Sequence, residues 1–529
     1  MKNVSSKIRP WLRSLAVLKG DWEYPLWMRS MSISFGRYTL PFGVVLLSFL
    51  GMLSWSLFYD LEGVDMNVWD ESLFALRAYR LYENGSFLQN FNQYTGLYDH
   101  PSTKLPFVTI IQAFSFKVLG PHVFALRLPI GIIAIVCSLL IIRILFRMGI
   151  NAKWGLLMCI LMTCSLSFLG EHMLRTGDHD APLSYFLLLA GLYFFEYVEF
   201  DRKKSLRGLG LWFLAALLTK NILAGVVVPA WLLFALVSGK GFSLIKDVRL
   251  YRLGAAVLGI FGLVLGGFEW AYSGFLDRMW NYELMGRYTK VIEGHTGPWY
   301  YYVDLLVKQD FIYTLVIALS SSLILLRRDN AEGSMVRRNN LDVGLKLGIF
   351  IFLMILVYGL VISYSKTKLP WYHAPLFPML SILAILGIRA TMVYFKNVAW
   401  KSIVKVGLVC GLMVLWYTSG VKSHSRTTIF GSQGFLTLFD KLKEGGVLLP
   451  QTYILEDDFG SDTYFYTKSF AKNATNCRFT FVREIESLEL GSAVMVIKPW
   501  ILARIEEKFE TKIILKLGDA SYMKIVKRR

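Results

Sequence analysis

The sequence predicts a polytopic α-helical membrane protein that ends in a small α/β domain. The chain of 529 residues is 55% hydrophobic and only 18% charged. Its mean hydropathy of +0.47 is too high for a soluble protein of this size. Apolar runs long enough to cross a bilayer recur between residues 39 and 419, and short strand-like segments follow them. These three observations exclude a purely soluble fold.

Apolar length defines about eleven spans. They are predicted at residues 39–59, 123–146, 154–170, 182–199, 207–219, 222–238, 253–271, 307–326, 344–364, 372–394 and 402–419. The apolar stretch 106–120 is predicted to be a surface or re-entrant helix. Segments such as "TYILED", "AVMVIK" and "YMKIVK" predict strands, and "PWILARIEEKFE" predicts an amphipathic helix.

Loop charge predicts the topology. Basic residues recur in every second loop and in the N-terminal segment, so the positive-inside rule places that side in the cytoplasm. The net charge of +19 follows from this bias, and no nucleic acid is needed to explain it. The predicted parts are a cytoplasmic segment (1–38), a transmembrane domain (39–419) with its first outer loop at 60–105, and an extracytoplasmic α/β domain (420–529).

The first outer loop contains two polar motifs, "WDES" and "DHPSTKLPF". They supply Asp70, Glu71, Asp99, His100 and Lys104. A carboxylate can act as a base or a metal ligand, and a lysine can bind a phosphate. The alternative is a solvated acidic loop with no chemical role.

Two further motifs follow at predicted outer turns. "RTGDHDAPLSYF" contains Asp178 and Asp180, a spacing that can bind a divalent cation, although Gly, Asp and Pro also form turns unaided. "LTKNILAG" places Lys220 at the tip of a predicted helical hairpin. Its ammonium can hold an anion or extend to the lipid headgroups.

A fourth cluster combines "EGHTGPWYYY" with "SYSKTKLPWYHAPLFP". Trp and Tyr at a membrane edge commonly form the aromatic belt. Two lysines on the outer side, however, run against the positive-inside trend and suggest a bound anion. The candidate substrate contacts here are Tyr301, Lys366, Lys368 and Tyr372.

All four clusters fall on the same predicted face, although the topology was derived from loop charge alone. Carboxylates, lysines and aromatic residues that open onto lipid suit a lipid phosphate carrying a sugar.

The order and spacing of these motifs resemble the C-type glycosyltransferases that use polyprenyl-phosphate sugars. The lipid A aminoarabinose transferases and the related protein mannosyltransferases are the most similar, over roughly residues 39–395. The motifs that carry the resemblance are "WDES", "KLPFVTIIQAFSFKVLG", "ALRLPIG", "HDAPLSYF", "LTKNILAG", "EGHTGPWYYY" and "SKTKLPWYHAPLFP".

The resemblance implies an inverting transferase of the bacterial inner membrane, with its site on the extracytoplasmic side. The donor would be an undecaprenyl-phosphate sugar, and the acceptor a lipid, glycan or protein of the envelope. Asp70 is the implied base, with Glu71 and Asp180 as further catalytic candidates. Lys104 would hold the phosphate, helped by Lys220, Arg287 or Lys366. The sequence leaves the sugar and the acceptor open.

Three alternatives remain at this stage. A protein O-mannosyltransferase differs only in its acceptor. A flippase of lipid-linked sugars would need polar groups along a path across the membrane, whereas these motifs cluster at one face. A membrane anchor for a partner-binding C-terminal domain would leave the outer lysines without a role.

A divalent metal, zinc or manganese, is a candidate cofactor. The family that these motifs resemble often has a glutamate, linked to metal binding, just before the first-loop lysine. This chain has Thr103 at that position. Asp99, His100 and His295 are therefore the candidate ligands, because imidazole and carboxylate suit these metals. The alternative is that these histidines only hydrogen-bond the substrate or the loop.

Overall fold

The computed structural model describes residues 33–35, 38–40, 42–63, 66–67, 70–85, 103–308, 318, 335–394, 398–424, 435–445, 448–455, 461–471, 477–482, 484–496, 499–518 and 520–529. The chain divides into two units, Met1–Met52 and Leu53–Arg529. In the first unit, strands β1 (Ile33–Phe35) and β2 (Tyr38–Leu40) pair antiparallel. Helix α1 (Phe42–Phe58) begins in this unit.

The second unit is mainly helical up to residue 424. Its helices are α2 (Asp70–Asn84), α3 (Phe107–Leu119), α4 (Val123–Arg147), α5 (Ala152–Thr163), α6 (Leu166–Leu169), α7 (Asp180–Phe200), α8 (Ser205–Lys220), α9 (Val228–Val237), α10 (Gly241–Ile245), α11 (Val248–Ala271), α12 (Phe275–Arg278), α13 (Met285–Thr289), α14 (Tyr301–Lys308), α15 (Met335–Tyr364), α16 (Leu376–Tyr394) and α17 (Val398–His424). Asn221–Val227 and Pro370–His373 are 3₁₀ helices, and Met279–Leu284 is a π helix.

Membrane-spanning character is confirmed, but the predicted number of spans is not. Within the described residues, six helical stretches are long and apolar enough to cross a bilayer: Val123–Arg147, Asp180–Phe200, Ser205–Val237, Val248–Ala271, Val343–Tyr364 and Pro370–Ala390. Three shorter apolar helices are Val44–Phe58, Phe107–Leu119 and Ala152–Thr163. The span predicted at 307–326 lies mostly outside the described residues.

The stretch Ser205–Val237 turns back on itself, as the predicted hairpin requires. Ser205 donates to Glu196 at 2.6 Å and Lys240 donates to the Val198 carbonyl at 2.7 Å, so both ends of the stretch lie beside the C-terminal part of α7. Lys220 instead reaches Asp180, at the start of α7. The chain reverses after α8, and the site residues Asp180 and Lys220 share one end of the bundle.

Within the second unit, the C-terminal part forms the small α/β fold that the sequence predicts, and we call it the C-terminal unit. The described strands β3 (Gln451–Leu455), β4 (Arg478–Val482), β5 (Ala493–Val496), β6 (Phe509–Leu517) and β7 (Ala520–Arg528) form one sheet in the order β4-β3-β5-β7-β6. The pairs of β3 with β4 and β5 are parallel, and those of β7 with β5 and β6 are antiparallel. Helices α18 (Phe435–Glu444), α19 (Ser461–Ala471) and α20 (Pro499–Lys508) accompany the sheet.

The two faces of this sheet pack differently. Val494 and Met523 face a core that includes Ile505 of α20. Residues on the opposite face share a core with Tyr79 of α2 and Phe116 of α3. The C-terminal unit therefore packs directly against the helix that begins at Asp70.

Candidate active site

Helix α2 carries the first two acidic candidates at its N-terminal end. Glu71 is fully buried, and both of its oxygens are bonded. Arg127 donates to them at 2.6 and 2.9 Å, and the backbone N–H groups of Gly177 and Asn67 add bonds of 2.7 and 3.0 Å. A buried ion pair with this geometry fixes segments relative to one another. The contacts favour a positioning role for Glu71 over the catalytic role that its sequence position suggests.

The loop that contains Gly177 and His179 packs closely against α3 and α4. Gly177 is needed because an added Cβ would meet the Leu126 side chain at 2.7 Å. Its carbonyl accepts a 2.7 Å hydrogen bond from Gln112. His179, two residues after Gly177, is fully buried, and its ring stacks on Phe74 with the ring centroids 3.7 Å apart. Burial therefore keeps the pKa of His179 well below its usual value, and the ring stays neutral.

The same loop brings together a possible metal-binding group. Within the described part of the chain, ligand atoms of Asp70, His172 and Asp178 all lie within 4.8 Å of one another. His172 Nδ1 lies 3.1 Å from Asp178 Oδ1, and the ring stacks on Trp371. Burial opposes the charged form of this histidine, but Asp178, together with Asp70 and Asp180, outweighs it and raises the pKa of His172 to about 9. The second oxygen of Asp178 is buried without a hydrogen-bond partner among the described residues.

Lys220 and Asp180 form a buried ion pair beside this group. The ammonium is 2.6 Å from each carboxylate oxygen, and both side chains are less than a tenth exposed. Asn221 follows Lys220 with φ of 58° and ψ of −150°, a combination that lies outside the left-handed helical region and that residues other than glycine rarely adopt. Its side chain donates to the Thr103 carbonyl at 2.5 Å. This bond joins the hairpin tip to the first loop.

The first-loop lysine is paired with a carboxylate that the sequence did not single out. Lys104 Nζ lies 3.0 Å from Glu283 Oε2, and Arg287 Nε lies 3.4 Å from the same oxygen. Thr103 donates to the other oxygen at 2.8 Å. Burial alone would raise the pKa of Glu283, but the two cations and the Thr103 hydroxyl lower it to about 2. The carboxylate is therefore ionised at neutral pH.

A small cleft, partly open to solvent, lies between these two ion pairs. One part of its wall is polar and the other is apolar. The polar residues are Lys104, Lys220, Asn221 and Glu283. The apolar residues are Ile222, Leu223, Met279 and Leu284. A ligand with a charged head and a hydrocarbon tail matches such a wall.

The two stretches of the fourth cluster also meet. The backbone N–H groups of Lys366, Thr367 and Lys368 donate to the carbonyls of Tyr288, Arg287 and His295 respectively. Lys366 is exposed. Lys368 is buried, and its ammonium donates to the carbonyls of Ile362 and Ser363. These bonds cap helix α15, so they favour a structural role for Lys368 over the substrate contact that the sequence suggested.

The remaining candidates are distributed as follows. Tyr372 lies within electrostatic range of Arg287 and Asp180, at the edge of the site. Tyr301 packs edge-on against Tyr302. His295 is partly exposed and faces Glu293 at 3.9 Å, outside the Asp70–His172–Asp178 group. Asp99 and His100 lie outside the described residues.

Sequence reasoning missed His172 and Glu283. Both lie in loops that the charge pattern had already placed on the candidate face, 171–181 and 272–306. Their predicted position on the same face as the four clusters could have identified them as candidate site residues. The group that could hold a metal ion consists of Asp70, His172 and Asp178, whereas the sequence had suggested Asp99, His100 and His295.

The chain matches known families over part of its length. Residues 99–265 match the model of the dolichyl-phosphate-mannose-protein mannosyltransferase family. This segment contains Lys104, Asp178, Asp180 and Lys220. No curated protein sequence matches the chain.

Solved structures show the fold over most of the chain. ArnT from Cupriavidus metallidurans bound to undecaprenyl phosphate has a TM-score of 0.67 at 13% identity, over 91% of this chain and 98% of that chain. Its apo state gives 0.60 at 13% identity, over 91% and 97%. The apo oligosaccharyltransferase of Archaeoglobus fulgidus gives 0.50 at 11% identity, over 86% and 66%.

The fold is therefore the one that the sequence motifs imply. The family match over residues 99–265 supports glycosyltransferase activity. Together the fold and the family match confirm the resemblance to C-type glycosyltransferases.

Proposed function

We propose that the protein transfers a sugar from a polyprenyl-phosphate donor to an acceptor in the cell envelope. The observation that carries this proposal is the cleft between Lys104 and Lys220, which has one polar wall and one apolar wall. Its cations suit a phosphate, and its apolar wall suits the first isoprene units. The similar ArnT structure, which holds bound undecaprenyl phosphate, supports the same donor class.

The chemistry follows from the charges around the cleft. The bond between the anomeric carbon and the phosphate oxygen breaks, while an acceptor oxygen bonds to that carbon. Negative charge develops on the departing phosphate, and Lys104 and Lys220 stabilise it. Asp70 takes the proton of a hydroxyl acceptor, whereas it orients an acceptor phosphate, which is already ionised. The resemblance implies inversion at the anomeric carbon.

The remaining candidates have supporting roles in this proposal. Asp180 holds Lys220, and Glu71 holds the start of α2 through Arg127. Arg287 and Tyr372 border the leaving group. Lys366 extends from the same rim and is exposed to an incoming anion.

The group of Asp70, His172 and Asp178 fits a divalent cation. Two carboxylates and one imidazole are ligands that zinc and manganese accept, and the bare Asp178 oxygen is an available donor. A cation held there would supply positive charge beside the acceptor oxygen. We propose this group in preference to Asp99, His100 and His295, because the His295 ring lies beside Glu293 and outside the group.

The acceptor is proposed to be lipid A or another envelope component, and the transferred sugar to be 4-amino-4-deoxy-L-arabinose. The similarity to ArnT supports this choice. The mannosyltransferase family match supports a second candidate, transfer of mannose to a protein hydroxyl.

The proposed location is the bacterial inner membrane, with the site on the extracytoplasmic side. At the far end of α7, Arg147 and Arg202 pair with Glu196. The basic loops thus mark the end opposite Asp180. The C-terminal unit packs at the site's end and is proposed to be extracytoplasmic as well. A reporter that is active only in the periplasm, fused after Arg529, should be active, and activity of a cytoplasm-only reporter would overturn this orientation.

One assay tests the proposed function. The purified protein is incubated with radiolabelled undecaprenyl-phosphate sugars and with lipid A or a serine-rich peptide as acceptor. We expect acceptor-dependent release of undecaprenyl phosphate, and we expect Asp70→Asn to abolish it. Folded protein that releases no lipid phosphate from any aminoarabinose or mannose donor would contradict the proposal.

A further inference from the structure

The C-terminal unit contacts the chain immediately before the Asp70 helix. Met66, which is fully buried, donates its backbone N–H to the Tyr466 hydroxyl at 2.9 Å. Tyr466 lies on α19 and is only 4% exposed. The two residues are 400 positions apart. A buried N–H group needs such an acceptor, because leaving it unpaired is costly.

This contact continues into the first turn of α2. Asn67 donates its N–H to Glu71 at 3.0 Å, and Ser72 donates its N–H to the Asn67 carbonyl at 3.1 Å. Asp70 is the first residue of the helix between these bonds. The position of Met66 and Asn67 therefore sets where α2 starts and where the Asp70 carboxylate lies.

Aromatic packing fixes α19 to the same region. The Phe465 ring meets Tyr79 of α2 edge-on, with centroids 6.2 Å apart, and lies 5.6 Å from Phe116 of α3. The Ser469 hydroxyl donates to the Pro121 carbonyl beyond α3. Helix α19 thus has a fixed position against α2, and the Tyr466 hydroxyl inherits that position.

We propose that Tyr466 is a positioning residue, through which the C-terminal unit places Asp70 for catalysis. The proposal rests on the proposed function, in which Asp70 serves the acceptor. A misplacement of about 1 Å in a catalytic group can lower turnover about 100-fold. A single hydroxyl in the C-terminal α/β part of the same unit can therefore control turnover without contacting substrate.

The chain offers a matched control for this hydroxyl. Tyr522 is fully buried in the sheet, and its hydroxyl accepts the Leu449 N–H at 2.9 Å. Thr452 adds a contact of 3.1 Å to the same oxygen. Tyr466→Phe and Tyr522→Phe each remove one hydroxyl that accepts a backbone N–H, but only the first touches the segment before Asp70.

Steady-state kinetics of the full-length protein separates positioning from general stability. We expect Tyr466→Phe to lower kcat about 10-fold with little change in the donor KM, because the cleft is not altered. Tyr522→Phe should change neither value, although both variants should lose similar thermal stability. Equal kcat for Tyr466→Phe and wild type, or equal losses in both variants, would overturn the proposal.

Hydrogen–deuterium exchange supplies a readout that does not depend on the substrate. Peptides within residues 70–84 should exchange faster in Tyr466→Phe and unchanged in Tyr522→Phe. Wild-type protein that is inactive with every donor would contradict the proposed function and leave exchange to decide this inference. Faster exchange in Tyr466→Phe alone supports the coupling, and equal exchange in all three proteins overturns it.

Discussion

Thr103 and Glu283 share a 2.8 Å hydrogen bond, although they are 180 residues apart in the chain. The carboxylate that accepts this bond also pairs with Lys104. A glutamate next to the first-loop lysine, which the sequence seemed to lack, is therefore supplied by a distant π helix. Irregular turns of this kind are frequent at functional sites.

We expect Glu283→Gln to bind undecaprenyl phosphate more tightly than the wild type. Glutamine keeps the shape and can still accept from Thr103, but it removes the charge that balances Lys104 and Arg287. A bound phosphate would then restore the balance, and a charge-assisted bond of about 1.5–3 kcal/mol corresponds to a gain of roughly tenfold or more. Binding is measured by the thermal shift that undecaprenyl phosphate produces.

The control for this change is Glu293→Gln, which alters an exposed carboxylate beside His295. It should leave the thermal shift unchanged. Weaker lipid phosphate binding by Glu283→Gln would mean that the carboxylate positions Lys104 and does not compete with the phosphate.

The same carboxylate predicts a pH dependence of stability. Lys104 and Arg287 hold the pKa of Glu283 near 2, below the usual value of 4.5. A lowered pKa stabilises the fold above the usual value, and this stabilisation is lost as the pH falls through about 4 toward 2. The stability difference between wild type and Glu283→Gln should stay constant from about pH 8 to pH 5 and shrink below about pH 4. A difference that changes between pH 5 and 8 would contradict the ion-pair assignment.

Asp70→Asn should nearly abolish transfer and leave thermal stability close to that of the wild type. Loss of a general base typically costs about 10²- to 10⁴-fold in rate. The change keeps the shape of the side chain and removes only its charge. Glu83→Gln, at the exposed end of the same helix, is the matched control and should retain activity. Full activity of Asp70→Asn with a polyprenyl-phosphate sugar would rule out its assigned role.

Glu71→Ala should show the opposite pattern, with stability as the main loss. The change leaves Arg127 buried without its carboxylate, and breaking such a pair costs about 3–5 kcal/mol. The melting temperature of the purified protein measures the effect. If Glu71→Ala melts like the wild type but is inactive, Glu71 acts in the chemistry and the positioning role is wrong.

Lys104→Ala should weaken use of the donor more than use of the acceptor. Charge-assisted contacts to phosphate are worth about 1.5–3 kcal/mol each, which predicts roughly a 10- to 150-fold loss in kcat/KM for the donor. Lys117→Ala, an exposed lysine on α3, serves as the control. An unchanged donor response would move the phosphate site toward Lys220 and Lys366.

Any divalent metal in the purified protein should depend on Asp178 and not on His295. Asp178→Asn removes one ligand from the group with Asp70 and His172, whereas His295→Gln changes a ring outside it. Elemental analysis of both variants and of chelated wild type measures the metal directly. Metal that disappears in His295→Gln but persists in Asp178→Asn would restore the ligand set expected from sequence. Chelated protein that is free of metal and fully active would remove the metal from the mechanism.

Local patterns were sufficient to predict the polar clusters, the membrane-spanning helices as a class and the C-terminal strands, but not the number of spans. Asp180 and Lys220 stand at turns between apolar runs, so their shared end of the bundle followed from topology, and the structure adds their 2.6 Å contact. The strand-like segments after residue 420 were recognisable from their alternating pattern, because a strand is a short-range feature.

Tertiary contacts explain what the sequence could not predict. Glu283 acquires its role only when a π helix meets Thr103, and no local pattern encodes that encounter. Glu71 and Asp70 are adjacent carboxylates in the sequence. Only the position of Arg127, which lies on another helix, separates a structural carboxylate from the proposed base. The sequence suggested an anion site at Lys368, but its ammonium donates to backbone carbonyls at the end of α15, a contact that no local pattern predicts.

The Glu71–Arg127–Gly177 frame has a consequence for biogenesis. Its three members lie in the first 177 residues, whereas Lys220, Glu283 and Tyr466 are synthesised later. Because synthesis runs from the N-terminus to the C-terminus, the contacts among Glu71, Arg127 and Gly177 can form before most of the later helices have been synthesised. The residues of the proposed phosphate site are added afterwards, and Tyr466 is translated after all of the spanning helices among the described residues. With Tyr466 in its proposed positioning role, chains that stop before residue 466 would carry the frame without an ordered Asp70.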